Sequence, residues 1–356
     1  MLSNLLTILN KSVGYSMDSK VTMQDIADML DITKVSVSKA INNQPGISDN
    51  LREQILTTAK KMGYHKTNNR EKSTSYNFAW ICPKRFFLED ETFYTTIYYY
   101  INKRLMEKGH TISCFVINDK EESENKLPLQ FSQESFDGIF IAGEFERSYL
   151  KKLEMIDCAK IAIDFYLPDM NIDSIVTDNF YTGFEATNYL IRKGHMKIGF
   201  VGNINNTSSI CDRYFGYLKA LMLNDLPVRN DWRIVNNDPV TGAYTLDFSL
   251  PKELPTSFVC HCDKAAFILM QKLHIEGYKV PEDVSVISFD NTSICELTIP
   301  KLTSIDINRK QIALQSIDQM LRRLEHTDSS PRKIYLGGHL VERDSITSPR
   351  KEQLIP

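Results

Sequence analysis

The stretch Val21–Tyr64 constrains this chain more than any other part of its 356 residues. Thr22 precedes Met23, Ile26, Ala27 and Leu30, which recur at the i, i+3, i+4, i+7 spacing of one helical face, so a helix capped by Thr22 is predicted. Asp31-Ile32-Thr33 breaks it, and Thr33 caps a second helix over Lys34–Asn42 that buries Val37, Ala40 and Ile41. Ser48 caps a third, with Leu51, Ile55, Ala59 and Met62 turned inward and Gly63 suited to the left-handed residue past its end. Two short helices across a tight turn form a helix-turn-helix, whose second helix can enter the major groove of a duplex. A plain three-helix bundle would share this periodicity. The solvent face of the second helix favours nucleic acid, because Lys34, Ser36, Ser38 and Lys39 are short donors and cations suited to phosphates and base edges.

The same residues resemble the headpiece of the lactose-repressor/galactose-repressor (LacI/GalR) family of bacterial transcription regulators. That family's recognition helix carries Val-Ser-Arg-x-Leu-Asn, and this chain has Val37-Ser38-Lys39-Ala40-Ile41-Asn42. The resemblance implies that Lys34, Val35 and Lys39 face base edges while Thr22, Ser36, Ser38 and Asn42 hold phosphates. Thr33, the cap of that helix, joins the same DNA-binding set. Lys39 stands where Arg is usual, and an ammonium cannot make the two-pronged contact to guanine that a guanidinium makes. Asp31 replaces the usual turn glycine; Asp tolerates the left-handed conformation at some cost.

Composition is that of an ordinary soluble globular protein, with 42% hydrophobic and 24% charged residues. No apolar run approaches a membrane span, and the first residues lack a signal peptide's layout, so no membrane association is expected. The seven cysteines lie mostly in apolar, strand-like contexts, which fits reduced thiols of a cytoplasmic protein. Cys260-His261-Cys262 has no second Cys or His pair at metal-site spacing, so neither a metal nor another cofactor is expected. Net charge is −3, yet residues 17–72 hold nine Lys and Arg against seven Asp and Glu, while residues 73–356 hold thirty-two against thirty-eight. A slightly basic head on an acidic body fits contact with DNA through the head alone.

From Tyr76 onward short apolar runs alternate with amphipathic segments. Strands are predicted over 78–82, 111–117, 138–141 and 160–163, with helices over 92–108, 120–133 and 147–156. A second series starts near Ser174, with strands over 175–176, 198–201, 232–235, 257–260 and 284–289. Its helices are expected over 181–192, 211–224, 243–249, 265–276 and 309–324. Buried strands separated by helices imply two doubly wound parallel-sheet lobes, and ligands bind outside the carboxyl ends of such strands. Asp164, Asp178, Asp263 and Asp290 all fall at those ends. Asp178 and Asp263 lead straight into helices and read as caps. Asp164 and Asp290 precede loops, which leaves capping and ligand binding both open.

The resemblance extends over this body through three stretches. They are Asp178-Asn179-Phe180-Tyr181-Thr182-Gly183 with Leu190–Gly202, Arg213-x-x-Gly216-Tyr217, and Val280–Asp290. It implies a periplasmic-binding-protein type I-like core that takes a small-molecule effector, usually a sugar or sugar derivative, in its cleft. Arg213 would grip that effector, Asp164 and Asp290 would accept from its hydroxyls, and Phe93 and Tyr94 would wall the pocket. Cys262 stands where an amide is common, and a thiol cannot replace an amide's paired donor and acceptor. The link His65–Ser75 contains no apolar side chain, whereas family hinges carry a Leu that wedges into the minor groove. Lys66 and Arg70 offer phosphate contacts instead, which implies a less bent operator.

The expected organisation is a leader (1–20, disordered), a helix-turn-helix headpiece (21–64), a polar link (65–75), a two-lobed effector-binding and dimerisation core (76–345) and a tail (346–356). The tail has no heptad run, so tetramers through a terminal coiled coil are not expected. The function implied is an effector-responsive repressor of carbohydrate-metabolism genes that binds a near-palindromic double-stranded operator as a homodimer. Rival readings are a ligand-binding module without DNA function and a regulator driven by a partner protein. An enzyme is disfavoured, since the chain has no phosphate loop, no nucleophile elbow and no histidine placed with a nucleophile. His195 and His261 read as structural.

Overall fold

Helix formation in the head follows its caps. The computed structural model describes residues 21–41, 46–62, 64, 75–87, 93–167, 169–237, 243–327 and 329–350. Helices α1 (Met23–Leu30), α2 (Lys34–Ile41) and α3 (Asp49–Lys61) occupy the predicted positions. Thr22 and Asp25 form a reciprocal capping box at the start of α1, and Ser48 accepts from the Leu51 amide at the start of α3. Asp31 closes α1 in the left-handed region, at φ 49°, as its place in the turn requires. Ile26, Ala27, Val37, Ala40, Ile55 and Ala59 are buried together between the three helices. The leader, Asn42, Gly63, the link up to Thr74 and residues 351–356 lie outside the described residues.

The chain divides into two compact units, Met1–Ser73 and Thr74–Pro356. The second unit is built on two six-stranded sheets. Its first half runs β1 (Asn77–Pro83), α4 (Lys84–Phe87), α5 (Phe93–Glu107), β2 (Thr111–Ile117), α6 (Asp119–Ser123), α7 (Gln130–Gln133), β3 (Gly138–Ala142), α8 (Arg147–Glu154), β4 (Ala159–Ile163) and β5 (Asp173–Thr177). There follow α9 (Asn179–Arg192), β6 (Ile198–Val201), α10 (Ser208–Leu223), β7 (Arg233–Ile234), β8 (Ser257–Cys260), α11 (Asp263–Ile275), β9 (Ser285–Phe289) and α12 (Ile294–Leu297). The last elements are β10 (Thr303–Ile307), α13 (Arg309–Glu325), β11 (Lys333–Leu336) and β12 (Gly338–Val341).

The sheet orders are β11-β5-β4-β3-β1-β2 and β12-β10-β9-β8-β6-β7. Every pairing is parallel except β10 with the edge strand β12. The chain therefore passes between lobes three times: after β5, after β10, and between β11 and β12. Trp80, Phe78, Phe140, Phe200, Phe258 and Phe289 are fully buried along the sheets. Each such ring contributes roughly 1.5–3 kcal/mol of burial, which fixes which strand faces point inward.

Four expectations are corrected. Residues 173–177 complete the first sheet instead of opening the second, because β5 pairs with β4 directly. Residues 120–133 are not one helix but α6 and α7, since Pro128 between them cannot continue a helical ladder. The segment 243–249 is not helical; Thr245 donates its amide to Asn236 O, while Tyr244 and Phe248 pack on the α11 side of the sheet. Strands β10, β11 and β12 were not expected at all.

Helices α9 and α10 touch backbone to backbone. A Cβ on Gly216 would stand 2.1 Å from Phe180 O and 2.6 Å from the Phe184 amide nitrogen, and one on Gly183 would stand 2.3 Å from Arg213 O. Gly216→Ala is expected to force the pair apart and lower the core's stability by about 1–3 kcal/mol in denaturant unfolding. Gly337→Ala, with nothing within 4 Å of its Cβ, should leave the transition unmoved. Equal behaviour of the two variants would contradict this packing.

Candidate sites in the head and between the lobes

On α2, Thr33, Lys34 and Val35 are exposed and Ser36, Ser38 and Lys39 are half-buried, around the buried Val37 and Ala40. Val35 is 63% exposed, a high value for a β-branched apolar side chain on a short helix. Thr33 caps α2: its hydroxyl accepts from the Ser36 amide at 3.2 Å and lies 3.0 Å from the Ser36 hydroxyl. Arg52 of α3 donates to Lys39 O and Ala40 O, so the carboxyl end of α2 is held by the third helix. Thr22 is exposed, but its hydroxyl donates to Asp25 at 2.7 Å within the capping box. One face of α2 thus presents a cation, a methyl-bearing side chain and hydroxyls. Asn42, Lys66 and Arg70 are outside the described residues.

In the second unit, Asp164 follows β4 and Asp290 follows β9, both at positive φ (70° and 99°), which turns the chain sharply at each strand's carboxyl end. Tyr94, in the first turn of α5, donates to Asp164 Oδ2 at 2.9 Å. Arg213 of α10 is buried; its Nε donates to Asn179 at 2.8 Å, its Nη1 to His261 O, and its Nη2 to Asp290 at 3.4 Å. The guanidinium also lies over the Phe289 ring, 4.6 Å from its centroid. Burial pushes the Asp164 carboxyl up to about 6, against the lowering pull of Arg213 and Tyr94. Burial likewise raises Asp290 to about 7, opposed by Arg213 and reinforced by Asp263 and Asp164.

The structure therefore brings Tyr94, Asp164, Arg213 and Asp290 into one cluster spanning both lobes. Phe93 is buried edge-on against Tyr94, with centroids 5.0 Å apart, as part of the core. Cys262 joins more distantly: Tyr244 OH lies 3.0 Å from its Sγ and 3.1 Å from His261 Nε2, and His261 O meets Arg213. Cys262 also caps α11 through the Ala265 amide. That corrects the cap role expected for Asp263, which is instead a buried hub. It accepts from Ser288 and Ser304 hydroxyls on Oδ1 and from the Thr292 amide and hydroxyl on Oδ2. Asp178 does cap α9. His195 and His261 are buried and held neutral, both pushed down to about 4 by burial.

Sequence reasoning missed Asn179, Phe289 and Glu144. Asn179 and Phe289 lie inside motif stretches already singled out, so their positions next to Asp178 and Asp290 were a usable signal. Glu144 gave none; its carboxylate accepts from the Ser208 amide and hydroxyl, both at 2.9 Å, at the amino end of α10 in the other lobe.

Residues 22–67 match the model of the bacterial regulatory proteins of the lacI family, and residues 187–346 match a periplasmic binding protein-like domain. The chain belongs to the lacI family. Its lacI-family relatives include the HTH-type transcriptional repressor PurR of Actinobacillus pleuropneumoniae serotype 3, 25% identical over 340 residues, covering 93% of this chain and 99% of that one. The fold is shared with the lac repressor dimer bound to operator and the anti-inducer ONPF (TM-score 0.64, 18% identity, 92% of this chain and 100% of that one). It is also shared with a CelR–cellobiose complex (TM-score 0.62, 18% identity, the same coverage). Among the described residues, no helix is long and apolar enough to cross a membrane.

The raised carboxyls predict a pH signature. Their folded pKa lies above the unfolded value of 3.8, so between about pH 4 and pH 7 the folded chain binds more protons and loses stability as pH rises. Asp164→Asn should therefore gain in melting temperature relative to the parent on going from pH 5 to pH 8. A difference independent of pH would contradict the buried-charge assignment.

Proposed function

We propose that this lacI-family regulator is a homodimeric repressor, released from or tightened on its operator by a sugar or sugar derivative bound between its lobes. The observation that carries the reading is the outward face of α2. Lys34 and Val35 are exposed there and Lys39 is half-buried beside them, on a helix fixed at both ends, by Thr33 and by Arg52. Two such heads would read half-sites roughly one helical turn, about 10 base pairs, apart. Lys34, Val35 and Lys39 would meet base edges, with Thr22, Thr33, Ser36, Ser38, Asn42, Lys66 and Arg70 on the backbone.

In the core, the cluster of Tyr94, Asp164, Arg213 and Asp290 joins groups from both lobes, so a ligand there would change the lobes' angle and with it the spacing of the heads. Such coupling is typically ~1–3 kcal/mol. Phe93 would stiffen Tyr94 and Cys262 would border the pocket. Similar proteins support this reading: PurR is a transcriptional repressor, CelR is seen in complex with cellobiose, and the lac repressor is seen as a dimer on operator. The domain division proposed is head 21–64, link 65–75, core 76–345 and tail 346–356.

Footprinting on genomic DNA with the purified full chain would locate the operator. Lys39→Ala is then expected to weaken operator binding by about 1–3 kcal/mol and to relax preference at one base position per half-site. An unchanged footprint and affinity would remove Lys39 from the reading set.

A further inference from the structure

The cleft's charges are unbalanced in one direction. Asp164, Asp290 and Glu144 bring three carboxylates to this region, with Asp263 a fourth beside Asp290, against the buried cation Arg213 and the half-buried Arg309. Each nitrogen of Arg213 already donates to a protein acceptor: Asn179, His261 O or Asp290. The amino end of α10, which could otherwise attract an anion, is held by Glu144 through the Ser208 amide and hydroxyl. Asp164 is 9% exposed, and its Oδ2 takes the Tyr94 hydroxyl while its Oδ1 is buried with no hydrogen-bond partner among the described residues. An acceptor so placed is open to a donor from the ligand, since leaving it unmade costs its full desolvation.

We propose that the cleft selects an effector bearing a protonated amine beside ring hydroxyls, such as an amino sugar, with the ammonium donating to Asp164 Oδ1. This rests on the sugar reading above. The groups facing Asp164 are Tyr94, Arg213 and Glu144; those facing Asp290 are Arg213, Asp263, Asp164 and Arg309. Burial, with a smaller push from the neighbouring carboxylates, raises Asp164 to about 6 and Asp290 to about 7, so each gives up its proton only near neutrality. An ammonium replaces that proton. A neutral hydroxyl supplies the hydrogen bond but leaves the charge uncompensated, and a phosphate or carboxylate adds to it.

The test is calorimetric titration of the full chain at pH 7 with glucose, glucose 6-phosphate, glucuronate, and glucose carrying an amine at C2, C3 or C6. At least one amine is expected to bind tenfold or more tighter than glucose, and the two anions weaker than glucose. Tight amine binding should fall at least tenfold from pH 7 to pH 5, as the carboxyls take up protons. Asp164→Asn should reduce the amine-to-glucose ratio below threefold, and Asp290→Asn, whose backbone Asn can also adopt, serves as the second variant. Retained binding to the footprinted operator shows that each variant folds.

Glucose or an anion binding as tightly as every amine would overturn the amine assignment while leaving the sugar reading intact. A preference for amines unchanged in both variants would overturn the role of these carboxylates. No binding by any hexose at millimolar concentration would overturn the sugar reading and this inference together.

Discussion

A buried guanidinium sets the geometry of the core. Arg213 can reach Asn179, the carbonyl of His261 and Asp290 only because α9 and α10 lie backbone against backbone beneath it, at Gly183 and Gly216. A cation removed from water must be paired, and here each of its nitrogens is. Its partners lie at the start of α9 and at the carboxyl ends of β8 and β9, so one side chain ties a helix pair to two strand ends. The facing lobe answers with Asp164 and Tyr94. The cleft is thus polar at its centre, inside walls of fully buried aromatic and branched side chains.

The head obeys a different economy. Its core is six buried side chains, three of them alanine-sized or nearly so, and much of its definition comes from caps at helix ends. Thr22 with Asp25, Thr33 with Ser36, and Ser48 with the Leu51 amide each satisfy groups a short helix leaves open. That is how eight residues of α2 can be held still while their outer face stays free for contact with a duplex.

Much of this was legible in the chain. Strands 198–201 and 257–260 were placed to the residue because buried parallel strands read as continuous apolar runs between helices, and 111–117, a mostly half-buried edge strand, was placed by its apolar and β-branched run. Strand β11 alternates exposed and half-buried residues at a sheet edge, and β12 is only partly buried, so no apolar run marked either. The 243–249 error came from Tyr244 and Phe248 at i, i+4 spacing, which a chain segment lying across a sheet can also produce. Which sheet takes residues 173–177 is a question of where the chain crosses between lobes, and periodicity carries no information about that. Among the polar residues, Arg213, Asp164 and Asp290 stood out at strand ends and motif positions. Asp263 was misjudged because a buried hub for three hydroxyls and an amide looks, in sequence, like any acidic residue opening a helix.

The central claim is that the face of α2 reads duplex sequence. Selection from a pool of random duplexes by the purified full chain, followed by sequencing, addresses it most directly. The account predicts enrichment of a near-palindrome whose half-sites lie about 10 base pairs apart. A pool that stays random after repeated rounds, with and without added sugars, would contradict it.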